Sequence, residues 1–179
     1  MGRPATAKKD RLIDAAMLRF HHHGVAGSSL ASVANDADVP VGNVYYYFQT
    51  KDQLTDAVVD RWGDRIAASL AAHESSPDPL DRLRSFIAGA GSRRQDYTDH
   101  GCPLAAIATH SGRPLDLVRA WIADQFAALD PTSARARADF VFASLQGSFA
   151  LAFAAHDPAI IAHTVAQLRD WIDSLSVPI

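Results

Sequence analysis

The stretch Pro40-Val41-Gly42-Asn43-Val44-Tyr45-Tyr46-Tyr47-Phe48 (PVGNVYYYF) decides how this chain folds. Taken alone, VYYYF has strong strand propensity. Its surroundings argue the other way. Pro40 and Gly42 stand on one side, and Thr50-Lys51-Asp52-Gln53 on the other has the Thr-to-Gln spacing of a capping box, which leaves too little room for a strand pair. The spacing predicts a helix. On a wheel of about 100° per residue with Val44 at the origin, Phe48 falls near 40° and Val41 near 60°, an apolar arc. Gly42, Tyr46 and Asn43 cluster between about 160° and 260°, with Tyr45 and Tyr47 flanking the arc. Three consecutive rings cannot share one buried face, so some of this aromatic surface meets something outside the core.

An exposed centre of glycine, asparagine and tyrosine is not what solvent alone selects, since surface helix positions favour Lys and Glu. Glycine lets a backbone approach closely. Asparagine pairs bidentately with an adenine edge, and a phenol offers its ring to a thymine methyl and its hydroxyl to a phosphate oxygen. Lys51, one turn on, adds a charge for a phosphate. These residues make chemical sense against DNA.

Working outward, nearly every apolar pattern repeats at three and four residues and the breakers fall at helix-length intervals, so the chain reads as all-α. Thr6 can cap a first helix carrying Leu12, Ile13, Ala16, Met17 and Phe20, which Gly24 ends. Ser29 can cap a second with Leu30, Val33, Ala34 and Ala37. Thr50 opens a long fourth helix striped by Leu54, Val58, Trp62, Ile66 and Leu70, and Pro77-Asp78-Pro79 stops it. Then come a helix from Leu80 to about Ala90, a polar loop from Gly91 to Gly101, a short segment from Pro103 and a helix from Pro114 to Leu129. Two long helices close the chain, one from about Thr132 to Ala155 and one opened by Asp157 with Pro158 at its first position. The boundary near Lys51 divides residues 1–50, three short helices, from residues 51–179.

Composition sets the outer limits. The 179 residues are 48% hydrophobic, enough for a core, and the net charge is −3. Residues 1–23 carry Arg3, Lys8, Lys9, Arg11 and Arg19 against Asp10 and Asp14, whereas residues 63–179 hold ten Lys or Arg against thirteen Asp or Glu. The basic end suits a local anionic partner. No run of about 18 apolar residues exists and the polar start is not a signal peptide, so the expectation is a cytoplasmic protein without a membrane span. The single cysteine, Cys102, excludes an internal disulfide and a cysteine-based zinc site.

The segment from Val33 to Val44 has the spacing of a helix-turn-helix, with Ala34 and Ala37 for close packing and Val39 and Val44 as anchors. Asp38 stands at the turn where glycine is usual, and aspartate tolerates the left-handed conformation better than most residues. Ser28-Ser29-Leu30, Val33-Ala34, Ala37-Asp38-Val39-Pro40, Gly42, Val44-Tyr45, Tyr47-Phe48, Lys51 and Leu54 together resemble, in order and spacing, the N-terminal domain of the TetR family of bacterial transcriptional repressors. The match covers roughly residues 8 to 56. The resemblance implies an all-helical homodimer whose third helices enter the major grooves of a palindromic operator. Carried over by position, Val41, Gly42, Asn43, Tyr45, Tyr46, Tyr47 and Lys51 are DNA contacts, and Ser28 and Ser29 sit where the second helix meets a phosphate. Val41 departs from the polar or basic residue common at its place, which suggests a methyl contact there.

In such proteins the C-terminal region dimerises and binds a small effector. The helix from about Thr132 is apolar nearly all round, with Phe140, Val141, Phe142, Leu145, Phe149, Leu151 and Phe153, and so is buried on more than one side. Ala143, Gly147, Ala150 and Ala154 form a smooth stripe along it. With Ile160, Ile161, Val165, Leu168, Trp171, Ile172 and Leu175 of the last helix, these residues would build a four-helix interface with a second subunit. His100-Gly101-Cys102-Pro103-Leu104 and Leu145-Gln146-Gly147 resemble segments of a LmrA/YxaF-like subgroup, which implies a planar aromatic or lipophilic effector. Phe86, Cys102, Ile107, Trp121, Phe142, Gln146 and Phe149 are the candidate pocket residues, and Gln146, polar within an apolar helix, needs a hydrogen-bond partner.

Other chemistries fare worse. Adjacent helical histidines diverge by about 100°, so His21-His22-His23 cannot converge on one metal ion. Cys102 ahead of a helix at Pro103, with His100 and His110 nearby, raises the alternative of a regulator sensing thiol oxidation. Nothing supplies a catalytic nucleophile with an orienting partner, and there is no phosphate-binding glycine loop or metal-ligand spacing. No enzyme activity and no cofactor are expected.

Overall fold

Residues 5–175 are described by the computed structural model, and among them there are ten helices and no strand. VYYYF is helical. It belongs to α3 (Val41–Tyr47), which follows α1 (Ala5–His23) and α2 (Leu30–Asp36) and leads into α4 (Lys51–Ala71). The sequence punctuation accounts for most of the ends. Gly24 takes φ +69° and stops α1. Because α1 begins at Ala5, Thr6 lies inside its first turn rather than ahead of it, and the Thr6 side chain falls outside the described residues. Ser29 caps α2 by accepting from the Ser32 amide at 3.1 Å, while the Ser32 hydroxyl accepts from the Ser29 amide at 2.9 Å. Thr50 accepts from the Gln53 amide at 3.2 Å, and the Gln53 side chain reaches back to the amide of Gln49 at 2.8 Å, one residue beyond the usual capping-box partner.

These helices form one compact unit of residues 1–65 together with 103–114. Its core gathers Leu12, Ala16 and Phe20 of α1, Val33 and Ala34 of α2, Val44 of α3, and Leu54 and Val58 of α4. The same core includes Ile107, which is 1% exposed and comes from α7 (Pro103–Ala108), a short helix packed on α1. Counting helices divides the chain at residues 50 and 51, but the first turns of α4 bury their apolar stripe in this core, and the unit runs on to residue 65. Arg61 adds a polar clasp, donating to Asp10 at 2.6 Å and to Asp14 at 3.1 Å on α1, with Arg65 donating to Asp14 at 2.8 Å.

One position in this unit admits only glycine. A Cβ built on Gly27 would lie 2.5 Å from the carbonyl oxygen of His23, a backbone atom that cannot swing aside. Gly27→Ala is expected to cost about 1–3 kcal/mol, the range of an overpacked site. A thermal melt followed by circular dichroism checks this, with a lowered midpoint and unchanged helicity at low temperature.

The second unit comprises residues 66–102 and 115–179. Here α5 (Pro79–Ser92), α6 (Arg94–His100), α8 (Arg113–Ala127, from Leu115 on), α9 (Ala134–Ala155) and α10 (Ala159–Ser174) bury Leu83, Ile87, Ile122, Phe126, Val141, Leu145, Ile161 and Ile172. Asp78 opens α5, accepting from the Leu80 amide at 2.9 Å with Pro79 at the first position. Asp157 does the same for α10 through the Ala159 amide at 2.8 Å, so the helix begins one residue after Pro158. Where a polar loop was expected between Gly91 and Gly101, α6 stands instead. Its outward residues are indeed polar, and only Tyr97 and Thr98 are buried, too few to leave a periodic signal.

The helix α9 is long and apolar enough to cross a membrane by length and composition, although Ser144, Gln146 and Ser148 interrupt its apolar residues. A third of its apolar window is buried within the protein, against α6 and α10. Its two sides differ. Val141, Leu145, Phe149 and Ala152 are buried, whereas Phe140, Leu151 and Phe153 are 51%, 61% and 45% exposed.

Candidate nucleic-acid interface

The turn between α2 and α3 sets the pose of the aromatic helix. The Ala37 amide donates to Val33 and the Val39 amide to Ala34, each at 2.9 Å, and between them Asp38 adopts φ +51°. This is the left-handed turn expected of the motif. Val39 and Val44 anchor its two sides, at 4% and 0% exposure, and Arg11 of α1 donates to the Asp38 carbonyl at 3.1 Å. A left-handed residue with a Cβ stores about 1 kcal/mol. Asp38→Gly is therefore expected to raise the free energy of unfolding by about that much, read as a higher urea midpoint, while Asp38→Val, branched at Cβ, lowers it by more.

The three tyrosines separate cleanly. Tyr47 is half-buried and packs against the unit's core, beside the fully buried Val44. Tyr45 is 54% exposed and Tyr46 81%. Tyr46 is not loose, because its ring meets the Tyr47 ring edge-on with centroids 5.0 Å apart. Val41, placed by the wheel beside the buried arc, is 44% exposed, since it starts the helix where no preceding turn covers it. Asn43 is half-buried, and a Cβ on Gly42 would meet nothing within 4 Å. The outward face is thus Val41, Gly42, Tyr45 and Tyr46, rotated from the expected glycine, asparagine and tyrosine centre.

Two of the residues expected to touch phosphates are committed elsewhere. Ser28 is 4% exposed and its hydroxyl donates to the Gly24 carbonyl at 2.8 Å, closing the α1–α2 turn. The Lys51 ammonium donates to the carbonyls of Val25 at 3.0 Å and Ser28 at 3.2 Å, which pins the start of α4 to the same turn. Both are structural here. Ser29 remains exposed at the start of α2. Among other cations of the unit, Arg19 pairs with Asp36 at 2.8 Å and Arg11 lies 4.0 Å from the Asp38 carboxylate. Lys9, one of the basic residues of the N-terminal stretch, is exposed and lies near Phe48 in a cation–π contact.

The seven candidate pocket residues are divided between the two units, Ile107 in the first and the other six in the second. Ile107 belongs to the core of the N-terminal unit, as described above. Phe86 and Trp121 meet with centroids 5.6 Å apart and share His73 as a ring neighbour. Burial, and then the charge of Arg93, lower the pKa of His73, whose Nδ1 lies 2.8 Å from the Ser85 hydroxyl. Phe149 stacks on Tyr97 of α6 at 4.0 Å, and burial of that phenol raises its pKa. Cys102, Phe142 and Gln146 are half-buried. The buried amide of this unit is Gln125, which donates to the Trp121 carbonyl at 3.2 Å and accepts from Arg82 at 3.3 Å. A groove of about 590 Å³ lies elsewhere, between α8 and α9, lined by Ala120, Ala123, Ala127, Ala134 and Ala138 with Arg119 and Asp124. None of the seven lines it.

Comparison with known proteins bears first on the N-terminal unit. Residues 12–58 match the family described as bacterial regulatory proteins, tetR family. An uncharacterized HTH-type transcriptional regulator in the dhlA 5' region of Xanthobacter autotrophicus is 30% identical over 104 residues, 58% of this chain and 50% of that one. The HTH-type transcriptional regulator BetI of Paraburkholderia xenovorans is 36% identical over 86 residues, 45% of this chain and 43% of that one. The chain thus spans half or less of the length of these relatives. The fold as a whole resembles that of a TetR-family regulator from Agrobacterium tumefaciens, with TM-score 0.79, 19% identity and coverage of 93% and 98% of the two chains. A TetR regulator from Chloroflexus aurantiacus aligns with TM-score 0.80 at 17% identity, over 94% and 96%.

Proposed function

From a chain that carries the N-terminal domain of the TetR family of bacterial regulators, we propose a cytoplasmic transcriptional repressor that binds a palindromic operator as a homodimer and is released by a small lipophilic or aromatic effector. It acts as a regulator, not an enzyme. The observation that carries the reading is the exposed, uncharged and aromatic face of α3, held at its angle by the left-handed Asp38 turn. A helix docked in a major groove by such a face reads base edges, with Val41, Gly42, Asn43, Tyr45 and Tyr46 towards the bases and the exposed Ser29 towards a phosphate. Tyr47 supports this face from behind, and Ser28 and Lys51 act through the turn they close.

Dimerisation is assigned to α9 and α10. Phe140, Ala143, Gly147, Leu151 and Ala154 follow one exposed stripe of α9, and a Cβ on Gly147 would meet nothing within 4 Å, which leaves room for a second helix to come close. Division at residue 50 fits this reading as a division of labour, with residues 1–50 for DNA and 51–179 for effector and partner. The effector is assigned to the aromatic Phe86, Trp121, Phe142 and Phe149 of the C-terminal unit, with Cys102 and the polar Gln146. Ile107 is excluded by its place in the other core.

Coupling follows from α4. Its first turns are built into the N-terminal core and tied to α1 by Arg61 and Arg65, and the same helix continues to Ala71. A shift of its far end therefore carries α1 to α3 as one body. Recognition helices of a dimer must sit about 34–36 Å apart or at a related spacing, so a displacement of a few ångströms lowers operator affinity.

Fluorescence anisotropy of the purified protein against labelled DNA from upstream of its own gene, with a random duplex as control and at two salt concentrations, tests the reading. Preferential binding weakened by salt is expected. Equal binding to specific and random DNA, repeated with fragments selected genome-wide, overturns it. Release by an effector that persists in Cys102→Ser separates a ligand signal from thiol oxidation.

A further inference from the structure

We infer that α3 selects its DNA through the 5-methyl groups of thymine, with Val41 and Tyr46 as the specificity-determining side chains, so that the base steps under α3 in each half-site are A·T. This rests on the operator-binding reading of α3 and makes it chemically specific. The helix VGNVYYY has no Arg or Lys, the side chains that pair bidentately with guanine. Three nearby cations are engaged, Lys51 on two backbone carbonyls, Arg19 on Asp36 and Arg11 on the Asp38 carbonyl, while the exposed Lys9 lies over Phe48, past the end of the helix. What the helix does expose is apolar surface at Val41 and on the Tyr46 ring, 44% and 81% exposed.

In the major groove only thymine offers an apolar group on the base edge. Gly42 lies between Val41 and Tyr46 on the helix wheel, and a Cβ there would meet nothing within 4 Å. At Gly42 itself no side chain stands between the backbone and the groove, so the exposed Tyr45 and Tyr46 rings can lie to either side of the base edges and Val41, at the start of the helix, can reach a methyl. The edge-on Tyr47 ring, itself packed on the core, fixes the Tyr46 ring before binding, so little conformational freedom is lost when it meets a base. Asn43 completes the pattern from the same helix, because its amide suits the adenine of the same base pairs.

The test uses the full-length protein and a duplex recovered by its own selection from a random library. Thymines in the half-site cores are replaced by deoxyuridine, which removes the methyl and leaves every hydrogen-bonding group. Each methyl lost is expected to lower affinity about fourfold, and a symmetric pair of replacements about fifteenfold. At the thymine under Val41 the loss shrinks towards none in Val41→Ser, and at the thymine under Tyr46 it shrinks likewise in Tyr46→Ala. If the deoxyuridine duplex binds within twofold of its parent while selected DNA is still preferred over random, methyl readout is wrong and the operator reading stands. A selected half-site with G·C pairs at the steps under α3 overturns it equally. Failure of the selection to enrich any sequence removes this inference and the operator reading together. The deoxyuridine arm needs no protein variant, so a misfolded mutant does not leave the question open.

Discussion

Tyr46→Ala is expected to lower affinity for the selected operator at least about thirtyfold, because each half-site loses a base contact worth about 1–3 kcal/mol and the dimer makes two. Binding to random DNA should hardly change, since the phenol carries no charge and contributes nothing to counterion release. Stability should also hold. With 81% of its surface exposed and one edge-on ring contact to Tyr47, Tyr46 supports little of the core. Tyr46→Phe divides the two roles a phenol can play, since a ring-to-methyl contact survives loss of the hydroxyl and a phosphate hydrogen bond does not. Anisotropy titrations on specific and random duplexes read both variants, and an equal drop on the two duplexes contradicts a base-reading role.

Leu151→Asp is expected to have the larger effect. Leu151 is 61% exposed in the single chain, so a carboxylate there costs the isolated fold little, but in a helix-to-helix interface it would bury an unpaired charge. The dimer should give way to monomer in sedimentation or light scattering. Operator affinity then falls by about 10²–10⁴, because two half-sites no longer bind as one linked pair. A variant that stays dimeric with unchanged affinity would place the subunit interface on another face.

The elements were legible in this sequence to the extent that they are marked locally. Gly24, Ser29, Thr50 and Asp157 cap or stop helices within a few residues of themselves, and each does so in the structure, whereas Pro77-Asp78-Pro79, read as the stop of the fourth helix, follows its end at Ala71 and Asp78 caps α5 instead. The turn was legible too, since the helix-turn-helix spacing places a left-handed residue at position 38 and aspartate tolerates that conformation better than most residues. What could not be read was which of two partners a polar group takes. Lys51 and Ser28 have the right identity and position for phosphates, and only the path of the α1–α2 turn shows that backbone carbonyls claim them first. Val41 shows the limit of a helical wheel, which knows angle but not that the first residue of a seven-residue helix has no turn above it. The surroundings of the candidate effector residues were least legible. Their aromatic character is visible, but Phe86 with Trp121, and Phe149 with Tyr97, are assembled by contacts between helices far apart in sequence.

The place of Ile107 has a consequence for how the protein is made. The core of the DNA-reading helices is completed by a residue that leaves the ribosome well after Arg65, the end of the unit's first stretch. At a synthesis rate of about 5–20 residues per second, the interval between residues 65 and 114 lasts about 2 to 10 s, during which that core is open on the α7 side. A fragment ending at residue 65 would carry all of α3 and leave its core open where Ile107 sits.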